Sequence, residues 1–343
     1  MSLVAAVAGC APSSRTAVAE PVSSAQALPS VVAAPSLSAS GSPSALPSGS
    51  ISALPSALPS ASRKPATKPA GAPAKIAGNS SASFWGSTAD IPRAKNVLTV
   101  KVLNRTNGVC PDSKVYWTFN GQTHSIAEQP YLDMPANSSG RMYFHLGSPT
   151  SKYADFIEFT IGAKQFNGNT TRVDAFVLKI AMRLHAADGF DEQVGESQKV
   201  FQESRAATFA RFRAAVPAEF QHLAQGTDKI LSPGGDPEFK TGGKYANYFA
   251  SATHAATSSD ILGCAGPLAS NPNQCAALNR HVSNPNASPS TYYRSAPANF
   301  YAKFWHDNAI AGKAYGFPYD DVHPQSTYVS HSNPQYLLVA VGF

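Results

Sequence analysis

The first 83 residues contain no aromatic side chain, although the 343-residue chain has 34 in all (18 Phe, 13 Tyr and 3 Trp). They also hold 11 of the 27 prolines and are otherwise mostly Ala and Ser. Such a segment has too few large apolar groups to offset its ordering entropy, so it is expected to be disordered. The folding unit is then about 260 residues, ample for a substantial core. Cysteine is scarce: four residues exclude a disulfide-built scaffold. Cys264 and Cys275, in one loop-rich stretch, are expected to form a bridge in an exported protein, leaving Cys110 as an odd, buried thiol. No CxxC or HxxxH spacing points to zinc, and the scattered histidines do not compose a metal site.

Charge is sparse at 14% of residues, and its small excess is misplaced for a nucleic-acid binder. Residues 1–80 carry five basic groups against Glu20 alone, whereas the remainder has 22 basic and 20 acidic groups. The pI of 9.1 therefore comes mostly from the tail, with no dense basic patch in the folded part, and nucleic acid is not an expected partner. No apolar run reaches 18 residues, so no helical membrane span is expected. Val7-Ala8-Gly9-Cys10 resembles a bacterial lipobox, in which Cys10 would carry a lipid anchor. It lacks a positive n-region, so it either ends a longer leader or is a chance match. With the repeated Ser-Ala-Leu-Pro-Ser of 44–60 as an extended tether, this suggests a secreted or envelope-anchored protein, and a tethered one of this kind is expected to be monomeric.

What is present is β-rich at first. Residues 97–103, 115–119, 142–146, 156–161 and 172–183 read as strands from their β-branched and aromatic content, with Asn120-Gly121 as a turn and 166–169 separating the last two. Residues 198–216 and 298–310 read as amphipathic helices, and 336–343 as a buried strand returning to the first sheet. The expected fold is thus mainly β with an α/β insertion. A linker occupies 1–90, a β-sandwich or barrel 91–185 and 313–343, and an α-rich mixed domain 186–312.

Two carboxylates lie within the expected strands. Glu158 shares a face with Phe156 and Thr160, and Asp174 shares one with Arg172. Were the two segments a hairpin, a two-residue turn at Asn167-Gly168 would separate the acids. A three-residue loop at 166–168 would instead leave them diagonal, roughly 7–8 Å apart. That is near the roughly 6.5–9.5 Å carboxyl separation of inverting glycoside hydrolases. Glu158, between Ile157 and Phe159, would favour its protonated form through desolvation, and Arg172 would keep Asp174 ionised. The plainer reading is a structural Asp174–Arg172 ion pair beside a solvated Glu158. The acidic run Asp188, Asp191, Glu192 and Glu196 reads as solvated surface, with the lining of a ligand groove as the alternative.

The runs FIEFTIG, FNGNTTRVDAF and FYAKFWHDNAIAGKAYGFPYDDV resemble those of the β-1,3-glucanases of glycoside hydrolase family 64, over roughly 95–343. The resemblance implies a thaumatin-like β-sandwich beside a mixed α/β domain, flanking a wide groove. It implies cleavage of internal β-1,3-glucosidic bonds with inversion and short laminari-oligosaccharide products. Glu158 would be the general acid and Asp174 the general base, with no cofactor and no metal. The partner implied is a β-1,3-glucan, with Thr160, Arg172, Phe166, Trp117, Tyr315, Tyr319 and Asp320 as substrate-binding residues. Tyr116 and Trp305 are further aromatic candidates. Tyr116 and Trp117 occupy opposite faces of one strand, so at most one can meet a sugar, and Trp305 lies in an aromatic stripe better suited to a core. The rival class is a thaumatin-like glucan-binding protein without turnover, which would not need both acids.

Overall fold

The computed structural model describes residues 80–284 and 287–343. The lipobox-like Cys10 and the proline-rich tether lie outside the described residues. The strands are β1 (Leu98–Asn104), β2 (Val115–Phe119), β3 (Gln122–Ser125), β4 (Tyr131–Met134), β5 (Ser139–Leu146), β6 (Ala154–Ile161) and β7 (Gln165–Thr170). There follow β8 (Ala175–Phe176), β9 (Lys179–Ala186), β10 (Asp191–Gly195), β11 (Ala224–Gln225), β12 (Lys229–Leu231), β13 (Val329–Ser332) and β14 (Pro334–Gly342).

Eleven of these strands make two facing sheets, of order β10-β9-β14-β1-β4 and β13-β7-β6-β5-β2-β3. Alternation explains the layering. Val100 and Val102, Leu337 and Val339, and Met182 and Leu184 point from the first sheet into a shared core. Trp117, Phe144, Ile157, Phe159 and Phe166 meet them from the second. The β14 strand is apolar on both faces because its sheet is covered twice. Its other face, through Leu338 and Ala340, packs under Phe84, Trp85, Phe201 and Ile310. As expected, β14 returns to the first sheet, pairing parallel with β1 and antiparallel with β9.

Residues between 209 and 322, joined by Phe176, supply a second core around Phe209, Phe212, Phe220, Tyr301, Phe304 and Trp305, with the small sheet β11-β12-β8 at its edge. Phe176 on β8 already belongs to this second core, the chain then returns to the first sandwich for β9 and β10, and Ala314 and Phe317 belong to the second core again, so the cores interleave around the expected boundaries. The helix expected over 198–216 is broken into Gln198–Gln202 and Arg205–Ala215. Ser204 interrupts it by capping the second piece, its Oγ accepting from the Ala207 amide at 3.2 Å. The second helix runs over Phe300–Asn308, capped by Asn299.

The separator expected at 166–169 is instead the strand β7. Phe166, Gly168 and Thr170 point inward while Asn167 and Asn169 point out. Gly168 hid the alternation: a Cβ there would stand 2.6 Å from the Phe166 ring and 3.0 Å from the Glu158 carbonyl. The hairpin turns at 162–164, closed by the Gly162 amide donating to the Gln165 carbonyl at 2.8 Å. The segment 172–183 is correspondingly not one strand: it bends at 173–174 and continues as β8 and β9. Cys264 and Cys275 form the expected bridge, with Cα atoms 5.6 Å apart. Cys110 is buried as expected but is disulfide-bonded rather than an odd thiol.

Candidate active site

The outer face of the six-stranded sheet is polar and open. Register places Arg141 on β5, Glu158 on β6 and Asn169 on β7 along one rung, with Ser139, Thr160, Asn167 and Ser330 along the next. Ile157 and Phe159 point away into the core, so they do not desolvate Glu158. Its neighbour is Arg141, whose Nε donates to Glu158 Oε1 at 3.0 Å. The same guanidinium sends Nη1 to Asp174 Oδ2 at 3.3 Å. Two such bonds to one guanidinium keep the carboxylate oxygens within about 9 Å, which admits the roughly 6.5–9.5 Å gap of an inverting pair. The acids thus converge, but not by the diagonal expected of a hairpin: Asp174 lies on the bend before β8, beyond an intervening strand.

Arg141 is stacked 4.1 Å over the Phe156 ring, which fixes the guanidinium plane. Partial burial would lower its pKa, but Tyr143 and the two carboxylates outweigh that and raise it. Glu158 and Asp174 keep 35% and 60% of their side-chain exposure and Arg141 40%, so all three groups stay reachable.

Asp174 is positioned by what flanks it. Its carbonyl accepts from the Ser232 amide at 3.2 Å. Arg172, two residues earlier, donates its amide to the Tyr315 carbonyl at 2.8 Å and accepts from the Tyr301 hydroxyl at 2.7 Å. The Arg172 side chain is only 3% exposed and faces away from Asp174. It is bidentate to Glu196, through Nε at 2.7 Å and Nη2 at 2.8 Å, and its Nη1 reaches Asp155 Oδ2 at 2.9 Å. Burial alone would depress its pKa, but the Glu196 and Asp155 carboxylates raise it instead. Arg172 therefore neither touches a ligand on the open face nor pairs with Asp174. Glu196, expected on the surface, is buried as its partner.

The other expected contacts divide. Thr160 is exposed on the Glu158 face, and Tyr116 is half-exposed there. Trp117 and Phe166 are buried in the sandwich core, on the far side of their strands, and cannot meet a polymer on this face. Trp305 is buried in the second core. Asp320 is fully buried, bound by Arg280 Nη2 at 2.9 Å, His306 Nε2 at 2.9 Å and the Gly316 amide at 2.9 Å. Burial would raise its pKa, but His306 and Arg280 hold it below the usual range. Its neighbour Asp321 is the exposed acid of the pair, raised by partial burial and by Asp320. Tyr315 and Tyr319 are half-buried; Tyr315 donates to the Pro318 carbonyl at 3.1 Å and Tyr319 to that of Ala269. Burial raises the Tyr315 pKa, and the Asp321 and Glu158 charges add to it.

Sequence reasoning missed Arg141, Asn169, Tyr143 and Asp321. Tyr143, exposed on β5 two residues from Arg141, was accessible from same-face spacing, and Asp321 stands beside Asp320 in the same motif; Arg141 and Asn169 needed the register of three strands. Among the described residues, no group of three or more His, Cys, Asp or Glu could hold a metal ion. The surface hollows near Phe84, Pro92 and His254 all lie away from Glu158, as suits a site laid open along a sheet.

Fold and site together define a two-core, β-rich protein with paired carboxylates on an open sheet face. The family model described as β-1,3-glucanase, glycoside hydrolase family 64, matches residues 149–256 and 254–341, and the chain belongs to this family. The laminaripentaose-producing β-1,3-glucanase of Paenibacillus barengoltzii is 33% identical, with a TM-score of 0.67 over 75% of this chain and 78% of that one. The same enzyme complexed with laminarihexaose superposes with a TM-score of 0.68. A glucan endo-1,3-beta-glucosidase of Cellulosimicrobium cellulans is 41% identical over 75 residues, 20% of this chain and 13% of that protein's length.

Proposed function

We propose that this chain is an inverting endo-β-1,3-glucanase acting on linear β-1,3-glucan and releasing short laminari-oligosaccharides. The observation that carries the reading is the pair Glu158 and Asp174, brought by different segments onto one exposed face and held by one arginine. The relatives' names and the laminarihexaose complex supply the substrate class.

Glu158, when protonated, gives its proton to the departing glycosidic oxygen. Asp174 takes a proton from a water that attacks the anomeric carbon from the opposite side. One C–O bond breaks, one forms, and the configuration inverts. Arg141 neutralises the carboxylate left on Glu158 and orients that of Asp174. Thr160, Asn167 and Ser330 line the next rung and offer hydroxyl and amide partners to sugar hydroxyls, with Tyr143 and Tyr116 as exposed rings. Tyr315 and Asp321, beside the second core, are the further candidates for contact, since the Tyr315 hydroxyl feels the charge of both Glu158 and Asp321. The Cys264–Cys275 bridge suits an oxidising compartment, in keeping with a secreted or envelope-anchored enzyme.

Glu158→Gln and Asp174→Asn should each cut hydrolysis of a linear β-1,3-glucan by on the order of 10²–10⁴-fold. Glucan affinity, measured by pull-down or calorimetry, should stay within a few-fold of wild type. A variant that keeps most of its rate would overturn the assignment of roles. A wild-type chain that binds glucan but yields no new reducing ends would identify a binding protein.

A further inference from the structure

Glu158 sits at the centre of its rung, with Arg141 opposite on β5 and Asn169 opposite on β7. These two neighbours are chemically unlike. A guanidinium has only donors, so Arg141 serves the ionised carboxylate. Asn169 brings a carbonyl oxygen, and that Oδ1 is sealed from solvent while accepting no hydrogen bond from the protein. Side chains directly opposite in an antiparallel pair have Cβ atoms roughly 4.5–5.5 Å apart, a gap that Glu and Asn span with one hydrogen bond. An ionised Glu158 has no proton to offer this oxygen; a neutral one has. The other ionisable groups whose charge Glu158 meets are Asp174 across Arg141 and Tyr315 from the second core, and Tyr315 in turn feels Asp321. Neither acid can donate while ionised, and the Tyr315 hydroxyl is committed to the Pro318 carbonyl.

We infer that Asn169 is a positioning residue for the catalytic proton: its Oδ1 accepts the O–H of neutral Glu158 and stores the acid form between turnovers. The inference rests on the reading of Glu158 as general acid. The cycle balances. The stored proton passes to the glycosidic oxygen when that oxygen arrives as a competing acceptor, and the carboxylate then returns to Arg141 Nε. A proton from solvent reloads Glu158, and Asp174 releases to solvent the proton taken from water. Hydrogen bonding to the neutral form favours that form, so Asn169 extends the pH range over which Glu158 is loaded.

The test is the pH profile of kcat on linear β-1,3-glucan for wild type, Glu158→Gln, Asn169→Leu and Asn169→Asp. Asn169→Leu removes the acceptor, and its alkaline limb should move down by about one pH unit. Asn169→Asp keeps an acceptor and adds a negative charge, so its limb should move up. Opposite signs at one position are not produced by a merely structural role. Should Asn169→Leu fail to fold, as judged by circular dichroism, Asn169→Ala removes the same acceptor with less bulk and should show the same downward shift. An alkaline limb unmoved in Asn169→Leu, with Glu158→Gln inactive, would overturn the inference while leaving Glu158 as the acid, whatever the added charge does in Asn169→Asp. An upward shift in Asn169→Leu would also overturn it, because the amide would then be donating to the ionised carboxylate. Activity retained in Glu158→Gln would instead sink the assignment of Glu158 itself.

Discussion

Among the described residues the same three-part device occurs twice: an arginine between two carboxylates. In the buried copy, Arg172 is gripped by Glu196 and Asp155 and by the carbonyls of Thr171 and Leu178. The carboxylates are equally committed, since Asp155 also accepts from the amides of Phe156, Val177 and Leu178 and Glu196 from that of Ile180. In the open copy, Arg141 makes one bond to Glu158 and one to Asp174, and all three remain partly in water. Identical chemistry is therefore put to two uses by burial alone. Sealed charges cannot exchange partners and fix the geometry where the two cores meet; half-exposed charges can exchange, which acid–base chemistry requires. The two devices are also linked, because Arg172 anchors the backbone two residues before Asp174.

The contrast can be broken from either side. Arg172→Met leaves two carboxylates buried without their counter-ion and should cost about 3–5 kcal/mol. Chemical denaturation should show it directly, together with a loss of activity that follows the loss of fold. Arg141→Met should change stability by less than about 1 kcal/mol, as exposed pairs do, yet lower kcat by at least roughly tenfold. If the stability losses of these two variants were equal, the distinction drawn from burial would be wrong.

A third charge sharpens the same point. Lys179 is 1% exposed, and its ammonium donates to the Glu203 carbonyl at 2.6 Å. Burial dominates, against a weaker pull from Glu203, and depresses its pKa to about 8. An unfolded lysine holds its proton to about pH 10.4, so between these values the unfolded chain binds the extra proton and stability rises with pH. Lys179→Met should remove that rise and stabilise the protein at neutral pH by on the order of 2–3 kcal/mol. Thermal melts of both proteins from neutral to alkaline pH would check it, and a wild-type melt that fell over this range would contradict it.

Much of the fold was legible because β-branched and aromatic alternation is a local signal. The strands at 98–104, 115–119, 154–161 and 334–342, the Asn120-Gly121 turn with both residues at positive φ, and the Cys264–Cys275 bridge all follow from short stretches of chain. β7 was hidden because Asn-Gly-Asn has turn chemistry, and only the Phe166 ring filling the space over Gly168 makes it a strand. That one strand changed the site. With β7 in place, Asp174 leaves the sheet, Arg172 turns into the interior, and the counter-ion becomes Arg141, 17 residues before Glu158. The aromatic contacts failed for a related reason. Residue type marks Trp117 and Phe166 as suitable for sugar stacking, but strand parity sends both into the core, and neither side chain can report which face of its sheet is wet.

The division of labour between Glu158 and Asp174 is tested most directly by the configuration of the first product. Linear β-1,3-glucan would be mixed with the protein and the anomeric proton signals followed by NMR before mutarotation proceeds. The α-anomer appearing first is the predicted result, since one acid protonates the leaving oxygen while the other activates water on the opposite face. The β-anomer appearing first would contradict the account, because retention requires one of these carboxylates to attack the sugar itself.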